Sequence, residues 1–127
     1  MPIEFLTFDD ALAIHHDQVT RYGGATELRD AGLLESALAQ PRAGFGDEYA
    51  HAFPHGMAAA YLFHIVSNHP FADGNKRVGA VCALVFLILN RRRFDAEPGE
   101  VFDITIGVAD GSRSKTDVES FFRDRVS

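Results

Sequence analysis

The chain has little cysteine, no excess of basic charge and no long apolar run, and each shortage excludes a class of protein. Its 127 residues include one cysteine, so no disulfide can form within the chain. That residue, Cys82, lies in an apolar run and is interpreted as a small core side chain. Such cysteine usage fits a reducing compartment, and residues 1–10 lack the basic start and apolar core of a signal peptide. We therefore expect a cytoplasmic protein.

Charge and hydropathy argue against two further classes of protein, those that bind nucleic acid and those that span a membrane. Twelve basic residues stand against 18 acidic ones, a formal net charge of −6, which argues against direct binding of nucleic acid. The longest apolar run, residues 78–89, is too short to cross a bilayer, which needs about 20 residues. We expect no membrane partner. Without repeats, low-complexity tracts or linkers, the length suits a single domain over residues 1–127.

Apolar spacing and capping residues predict helices in most of the chain. The segment 75–90 is apolar on all its faces, which predicts a central helix buried on all sides. Residues 41–54 are rich in glycine and aromatic side chains and predict an ordered loop or short hairpin. Residues 101–106 are rich in β-branched side chains and also fit a strand. Helices are predicted over residues 7–22, 28–40, 55–68 and 75–90, with a last one starting at Ser114 or Thr116.

The central motif spans residues 69–77 and has the sequence HPFADGNKR. Its Gly74-Asn75 turn opens a helix whose first N–H groups have no intrahelical partners, and such an end attracts anions. Cations are otherwise unfavourable at a helix N-terminus, so Lys76 and Arg77 in the first turn indicate that an anion is expected there. The motif therefore predicts a phosphate site.

Two titratable side chains flank this phosphate site. His69 precedes Pro70, which disfavours a helical conformation of the residue before it, so the histidine is presented where the third helix ends. Histidine, with an ordinary pKa of about 6.5, suits proton transfer at neutral pH. Asp73 supplies carboxylate oxygens, which Mg²⁺ prefers. His64, in contrast, lies on an apolar helix face and is interpreted as a structural histidine.

The motif resembles the signature of Fic-fold proteins, H-[P/x]-F-x-[D/E]-G-N-[G/K]-R, and Lys76 at its eighth place resembles the Doc (death-on-curing) toxin branch. Further stretches that resemble Doc toxins are residues 14–24, 32–38 and 108–111. The resemblance covers nearly the whole chain in the same order. It implies an all-α fold, a Fic/Doc-type helical bundle around a buried central helix, with a helix over residues 94–111. It also implies that residues 41–54 form a flap that holds a target polypeptide.

The resemblance also implies a toxin of a toxin–antitoxin system that uses ATP and Mg²⁺. Fic-fold enzymes move part of a nucleoside triphosphate to a protein hydroxyl. On this basis His69 is the general base, Asp73 holds the metal, and Arg77 both stabilises developing charge and binds phosphate. The remaining phosphate contacts are assigned to Gly74, Asn75 and Lys76.

The type of transfer depends on one further position. Fic enzymes that transfer AMP usually carry a second arginine three places after the first, where this chain has Ala80. Doc toxins also lack that arginine, which implies a kinase that phosphorylates a Ser or Thr of an elongation factor Tu-like protein and arrests translation. Gly74 and Pro70 follow the general Fic pattern, so a Fic-type adenylyltransferase or nucleotidyltransferase stays the alternative. A second alternative is a non-catalytic binding module.

A toxin of this type implies an antitoxin. Its disordered tail would fold into an apolar groove, expected near the first helix and the C-terminal region. No inhibitory helix is identified in the chain itself, so restraint would come from the partner. The first helix packs beside the motif in Doc proteins, which makes His15 or Arg21 a candidate to support the site from behind.

Overall fold

The structure, a computed structural model, describes residues 2–127, and their regular secondary structure is six helices with one short two-stranded sheet, which confirms the all-α prediction. The run of β-branched residues at 101–106 is helical, as the family resemblance implied. The helices are α1 (Phe8–Tyr22), α2 (Ala31–Ala39), α3 (His55–Asn68), α4 (Asn75–Leu89), α5 (Pro98–Ala109) and α6 (Lys115–Arg123), and the antiparallel strands are β1 (Gly44–Phe45) and β2 (Glu48–Tyr49).

Side-chain caps begin three of the helices at predicted residues. Thr7 accepts a hydrogen bond from the N–H of Asp10 at 3.1 Å, and Asp10 accepts one from the N–H of Thr7 at 2.9 Å. Asp30 caps α2 with a single bond, which its side chain accepts from the N–H of Leu33. Ser114 and Asp117 form a second reciprocal pair, so Ser114 is the correct one of the two predicted starts for the last helix. Each cap satisfies N–H groups that a helix start leaves unpaired.

The buried centre of the bundle is α3, and the prediction that α4 is buried on all sides is wrong. α3 packs against α2, α4, α5 and α6, and its residues 56–62 are all buried. On α4, Ile88 is 71% exposed and Leu89 is 45% exposed. Apolar composition all round a helix allows full burial but does not require it, and here α1, α3 and α5 pack along α4 but leave the side chains of its last two residues in solvent.

A glycine allows α3 and α4 to approach each other closely. A Cβ atom added at Gly79 of α4 would lie 2.7 Å from Cγ2 of Val66 and 3.2 Å from the carbonyl oxygen of Leu62, both on α3. This close packing sets the position of α4 relative to α3, and therefore also the position of the motif at the N-terminus of α4. Among the described residues, none of the helices combines the length and the apolar character that crossing a membrane requires.

Residues 41–54 form an ordered loop that contains the β1–β2 hairpin, as predicted. The base of the hairpin is tied by a hydrogen bond from Ala50 N–H to the carbonyl of Ala43 at 2.8 Å. The ring of Tyr49 lies 5.7 Å from that of Phe5 at the bundle surface. Phe45, near the turn, is 94% exposed. The hairpin therefore has a fixed base and an apolar side chain in solvent.

Two histidines, His51 in the loop 41–54 and His64 on α3, each have a ring nitrogen that is shielded from solvent. Nδ1 of His51 and Nε2 of His64 are buried and find no hydrogen-bond partner in the described part of the chain. Burial lowers the pKa of His64 to about 4, and the positive charges of Lys115 and His51 act in the same direction. The histidine is therefore neutral and half-buried, in agreement with a structural role, although its Nε2 lacks the hydrogen-bond partner that such a residue is expected to have.

The low pKa of His64 predicts a loss of stability as the pH falls from about 6.5 towards 4. Over this window the unfolded chain binds a proton on the histidine that the folded chain does not, so the contribution is complete above about pH 6.5. We expect His64→Leu to lose less of its urea midpoint than wild type between about pH 7.5 and about pH 5. His16→Leu, at an exposed position of α1, is the control. A His64→Leu midpoint that falls as steeply as wild type would contradict this assignment.

Candidate active site

The motif begins where α3 ends, at His69. This residue adopts the left-handed conformation, with φ 55° and ψ 51°, and its N–H donates to the carbonyl of Ile65 at 3.2 Å. Such a conformation is uncommon for a residue other than glycine, although histidine, asparagine and aspartate tolerate it better than most. The turn takes His69 off the buried faces of α3 and leaves it exposed. The predicted helix end and the presentation of the histidine are both confirmed.

An extended segment, residues 27–30, holds the motif loop from the side. Leu28 forms an antiparallel bridge with Phe71. Nε of Arg29 donates to the carbonyl of His69 at 2.8 Å, and its Nη2 donates to the next carbonyl back at 3.2 Å. Additional backbone hydrogen bonds run from Arg29 and Asp30 to Pro70 and from Ala72 to Glu27. Arg29 was not among the predicted site residues, because no local pattern shows that it reaches a loop 40 residues away.

Asn75 closes the loop from inside. Its side chain is 4% exposed. Oδ1 accepts a hydrogen bond from Phe71 N–H at 3.0 Å, and Nδ2 donates to the carbonyl of Phe71 at 2.9 Å. The structure therefore gives this side chain a different role from the predicted phosphate contact, since both of its polar ends bind the loop's own backbone. A contribution from the backbone N–H of Asn75 stays a prediction.

His15 supports the loop from below. Its buried imidazole stacks on the ring of Phe71, with 3.8 Å between ring centroids and 6° between planes. Its Nε2 lies 3.0 Å from the carbonyl oxygen of Asp73, so this nitrogen carries the proton and donates. The expectation of support from the first helix is confirmed for His15. Arg21 pairs instead with Asp17 of its own helix at 2.9 Å.

Asp73 is the one carboxylate within the motif, and it is exposed. Its Oδ1 accepts a hydrogen bond from Gly74 N–H at 2.8 Å. Gly24, two residues after the end of α1, has φ 120° and lies against this carboxylate, since a Cβ atom added there would come 2.7 Å from Oδ2. No group of three or more possible metal-ligating side chains occurs within residues 2–127. A single carboxylate suits Mg²⁺, which usually reaches proteins through one or two carboxylates plus substrate phosphates.

The start of α4 presents donors and cations together. Gly74 takes the N-cap position with φ 82°, and within residues 2–127 no side chain caps this helix end. Nη2 of Arg77 donates to the carbonyl of Gly23 at 3.1 Å, and the guanidinium lies 5.3 Å from the centre of the Tyr22 ring. Nε of Arg77 is buried and has no partner among the described residues. Lys76 is exposed beside it.

These features make the start of α4 a place where an anion can bind. The unpaired N–H groups and the positive end of the helix dipole attract negative charge, and the two side-chain cations add to it. The contacts from the end of α1 orient Arg77. They could not be predicted from the sequence because they join residues more than 50 positions apart. Of the predicted site residues, the structure groups His69, Asp73, Gly74, Lys76 and Arg77 around one loop.

An apolar groove of about 430 Å³ begins at this helix start and runs between α4 and α5. The groove predicted for an antitoxin tail was expected near the first helix and the C-terminal region. The walls of this one belong to α4 and α5. Its main lining residues are Lys76, Arg77, Ala80, Val101, Phe102 and Ile106.

Comparison with known proteins agrees with this geometry. A model of the Fic/DOC family matches residues 5–87, a range that includes the motif and the segment that holds it. The chain is 31% identical over 116 residues to the protein kinase doc of Escherichia phage P1, which covers 91% of this chain and 90% of that protein. It is 39% identical over 69 residues to the toxin Doc of Mycolicibacterium smegmatis, over 54% of this chain and 53% of that protein.

Proposed function

The chain belongs to the Fic/DOC family, and from that premise we propose that it is a Doc-like toxin kinase. In this proposal it transfers the terminal phosphate of ATP to a Ser or Thr hydroxyl of a translation factor, one similar to elongation factor Tu, and thereby arrests translation. The observation that carries the proposal is the start of α4, where unpaired N–H groups and two cations follow directly on the loop that carries an exposed histidine and an exposed carboxylate. The name of the phage relative, a protein kinase, supports the same chemistry.

His69 is the general base of the proposed reaction. The target hydroxyl oxygen forms a bond to the terminal phosphorus while its proton moves to the imidazole. The bond from that phosphorus to the bridging oxygen breaks, and ADP leaves with the electron pair. The exposed position of His69 at the end of α3 lets a protein hydroxyl approach it. A positioned base of this kind contributes about 100- to 10,000-fold to a rate.

Asp73 is the residue that would hold Mg²⁺. A bound magnesium ion would neutralise charge on the phosphate oxygens. The fit rests on the chemistry of the donor, an exposed carboxylate whose Oδ1 is held by the N–H of Gly74 and whose Oδ2 lies beside Gly24, a residue without a Cβ atom. His15 keeps the carbonyl of the same residue in place from the opposite side. The carboxylate is thereby oriented before any ligand arrives.

The first turn of α4 would bind the phosphate chain. Backbone N–H groups at a helix N-terminus, together with Lys76 and Arg77, stabilise the charge that develops on the transferred group. Because the end of α1 holds Arg77 through a hydrogen bond and an aromatic face, its guanidinium is pre-oriented. Pre-orientation lowers the entropy that binding would otherwise cost.

The flap would hold the protein substrate, and an antitoxin would restrain the enzyme. The β1–β2 hairpin offers a short strand edge and the exposed Phe45 to an extended polypeptide. The toxin relatives imply an antitoxin partner, which we propose is a protein with a disordered tail that folds on binding.

Labelled ATP tests the transfer chemistry. We would incubate the protein with elongation factor Tu and Mg²⁺, using ATP labelled at the γ phosphate in one reaction and at the α phosphate in another. The proposal expects label on the target from the γ position only, a mass gain of one phosphate, and no labelling by His69→Asn. Label from the α position would overturn phosphoryl transfer in favour of the nucleotidyltransferase alternative, which keeps the same site residues.

A further inference from the structure

The groove between α4 and α5 continues directly from the proposed phosphate site. Lys76 and Arg77 belong both to the first turn of α4 and to the lining of the groove. The side chains beyond them are apolar apart from Thr105, whose hydroxyl already donates to the carbonyl of Val101 at 2.7 Å. None of the lining residues is acidic. A ligand lying along this groove would meet positive charge at one end and apolar surface at the other.

Phe102 gives the apolar end a flat surface. The residue is 65% exposed, and its ring stacks on no other aromatic ring among residues 2–127. Across the groove stands Ala80, one turn after Lys76, whose methyl group leaves the space between the helices open. An exposed aromatic ring beside a cationic site is the usual platform on which a nucleic acid base stacks. The volume of about 430 Å³ also lies in the range of small-ligand sites.

We infer that this groove takes the nucleoside end of the triphosphate, with the base against Phe102 and the phosphates at the start of α4. The inference rests on the proposed function and deepens it by naming where the base lies. Phe102 is then a binding residue that determines how strongly a nucleoside triphosphate is preferred over a bare polyphosphate. Its location on α5 puts it outside the segment 5–87 matched by the family model.

Titration calorimetry with two ligands tests the inference. We would measure binding of ATP and of inorganic tripolyphosphate, each with Mg²⁺ and without any protein substrate, to wild type, Phe102→Ala and Ile88→Ala. Phe102→Ala should weaken ATP binding about tenfold or more, because loss of one base–aromatic stack has this effect. It should leave the tripolyphosphate Kd within about twofold, since the phosphates do not reach the ring. Ile88→Ala removes a similarly exposed apolar side chain of α4 outside the groove and should change neither.

A second variant protects the test against misfolding. Ala80→Leu fills the groove from the opposite wall and should also weaken ATP binding more than tripolyphosphate binding. The groove assignment would be overturned if both variants left the ATP affinity unchanged, or if they weakened the binding of ATP and of tripolyphosphate equally. The groove would then be assigned to a bound peptide. In that case the γ-label experiment still decides the kinase proposal by itself. If wild type binds no ATP, both proposals fall.

Discussion

Replacing His69 by asparagine should lower the rate of phosphoryl transfer by about 100- to 10,000-fold, the usual contribution of a positioned general base. Asparagine is chosen because the residue has φ 55°, a conformation that asparagine tolerates better than alanine does. Its amide cannot accept the hydroxyl proton. The measurement is the single-turnover rate of labelling of elongation factor Tu by γ-labelled ATP.

The same variant should keep its folded structure and its affinity for ATP. His69 is exposed, and only its backbone takes part in the loop, through the N–H to Ile65 and the carbonyl to Arg29. Thermal midpoint and ATP affinity are therefore expected to match wild type. A transfer rate within about tenfold of wild type would remove His69 from the role of base. A collapse of ATP binding would instead assign it to ligand contact.

Replacing Asn75 by alanine should have the largest combined effect on stability and activity. The change leaves the N–H and the carbonyl of Phe71 without their partners in a buried place. Each buried backbone group left unpaired costs about 1–3 kcal/mol, so for two groups we expect a loss of roughly 2–6 kcal/mol in the free energy of unfolding. The loop that carries His69 and Asp73 then loses its internal brace, and a displacement of about 1 Å can cost about 100-fold in rate.

Asn90 provides a matched control for Asn75. At the other end of α4 its side chain also binds both backbone groups of one residue, Glu4, with two distances of 2.9 Å. Asn90→Ala should therefore destabilise the protein while leaving the transfer rate of the folded fraction unchanged. Chemical unfolding at a fixed temperature and the single-turnover rate are measured for both variants. Equal losses of rate in the two would show that Asn75 acts only through global stability.

Asn75→Asp separates the two hydrogen bonds. Aspartate still accepts from Phe71 N–H but has no N–H to donate to the carbonyl of Phe71. We expect a stability between those of wild type and Asn75→Ala. An aspartate variant less stable than the alanine variant would show that the repulsion between carboxylate and carbonyl exceeds the value of the retained bond.

The parts of the fold that could be predicted from sequence are those that depend on near neighbours. Thr7, Asp30 and Ser114 each bind N–H groups two or three positions away, so their chemistry is visible in a short window. The end of α3 at His69 follows in the same way from Pro70. The motif itself also has local spacing, which is why its charged residues were found.

The features that could not be predicted from the sequence depend on contacts between residues far apart in the chain. α3 and α4 are both apolar, and which of them lies at the centre is decided by how many other helices pack on each. Asn75 was assigned to phosphate because its neighbours are phosphate-binding types, whereas its side chain turns inward to a backbone that folds back over it. The orientation of Arg77 by Tyr22 likewise appears only in three dimensions.

The bridge between Leu28 and Phe71 ties the chemistry of the loop to the order in which the chain is made. Residue 71 emerges from the ribosome well after residue 28, and neither segment has a strand partner of its own until both are present. The loop should therefore become rigid in the same cooperative event that joins α1, α2 and α3. The arrangement of His69 and Asp73 should therefore be lost in the same transition in which the helices separate, so that a partly unfolded chain keeps the motif in its sequence but not as a site.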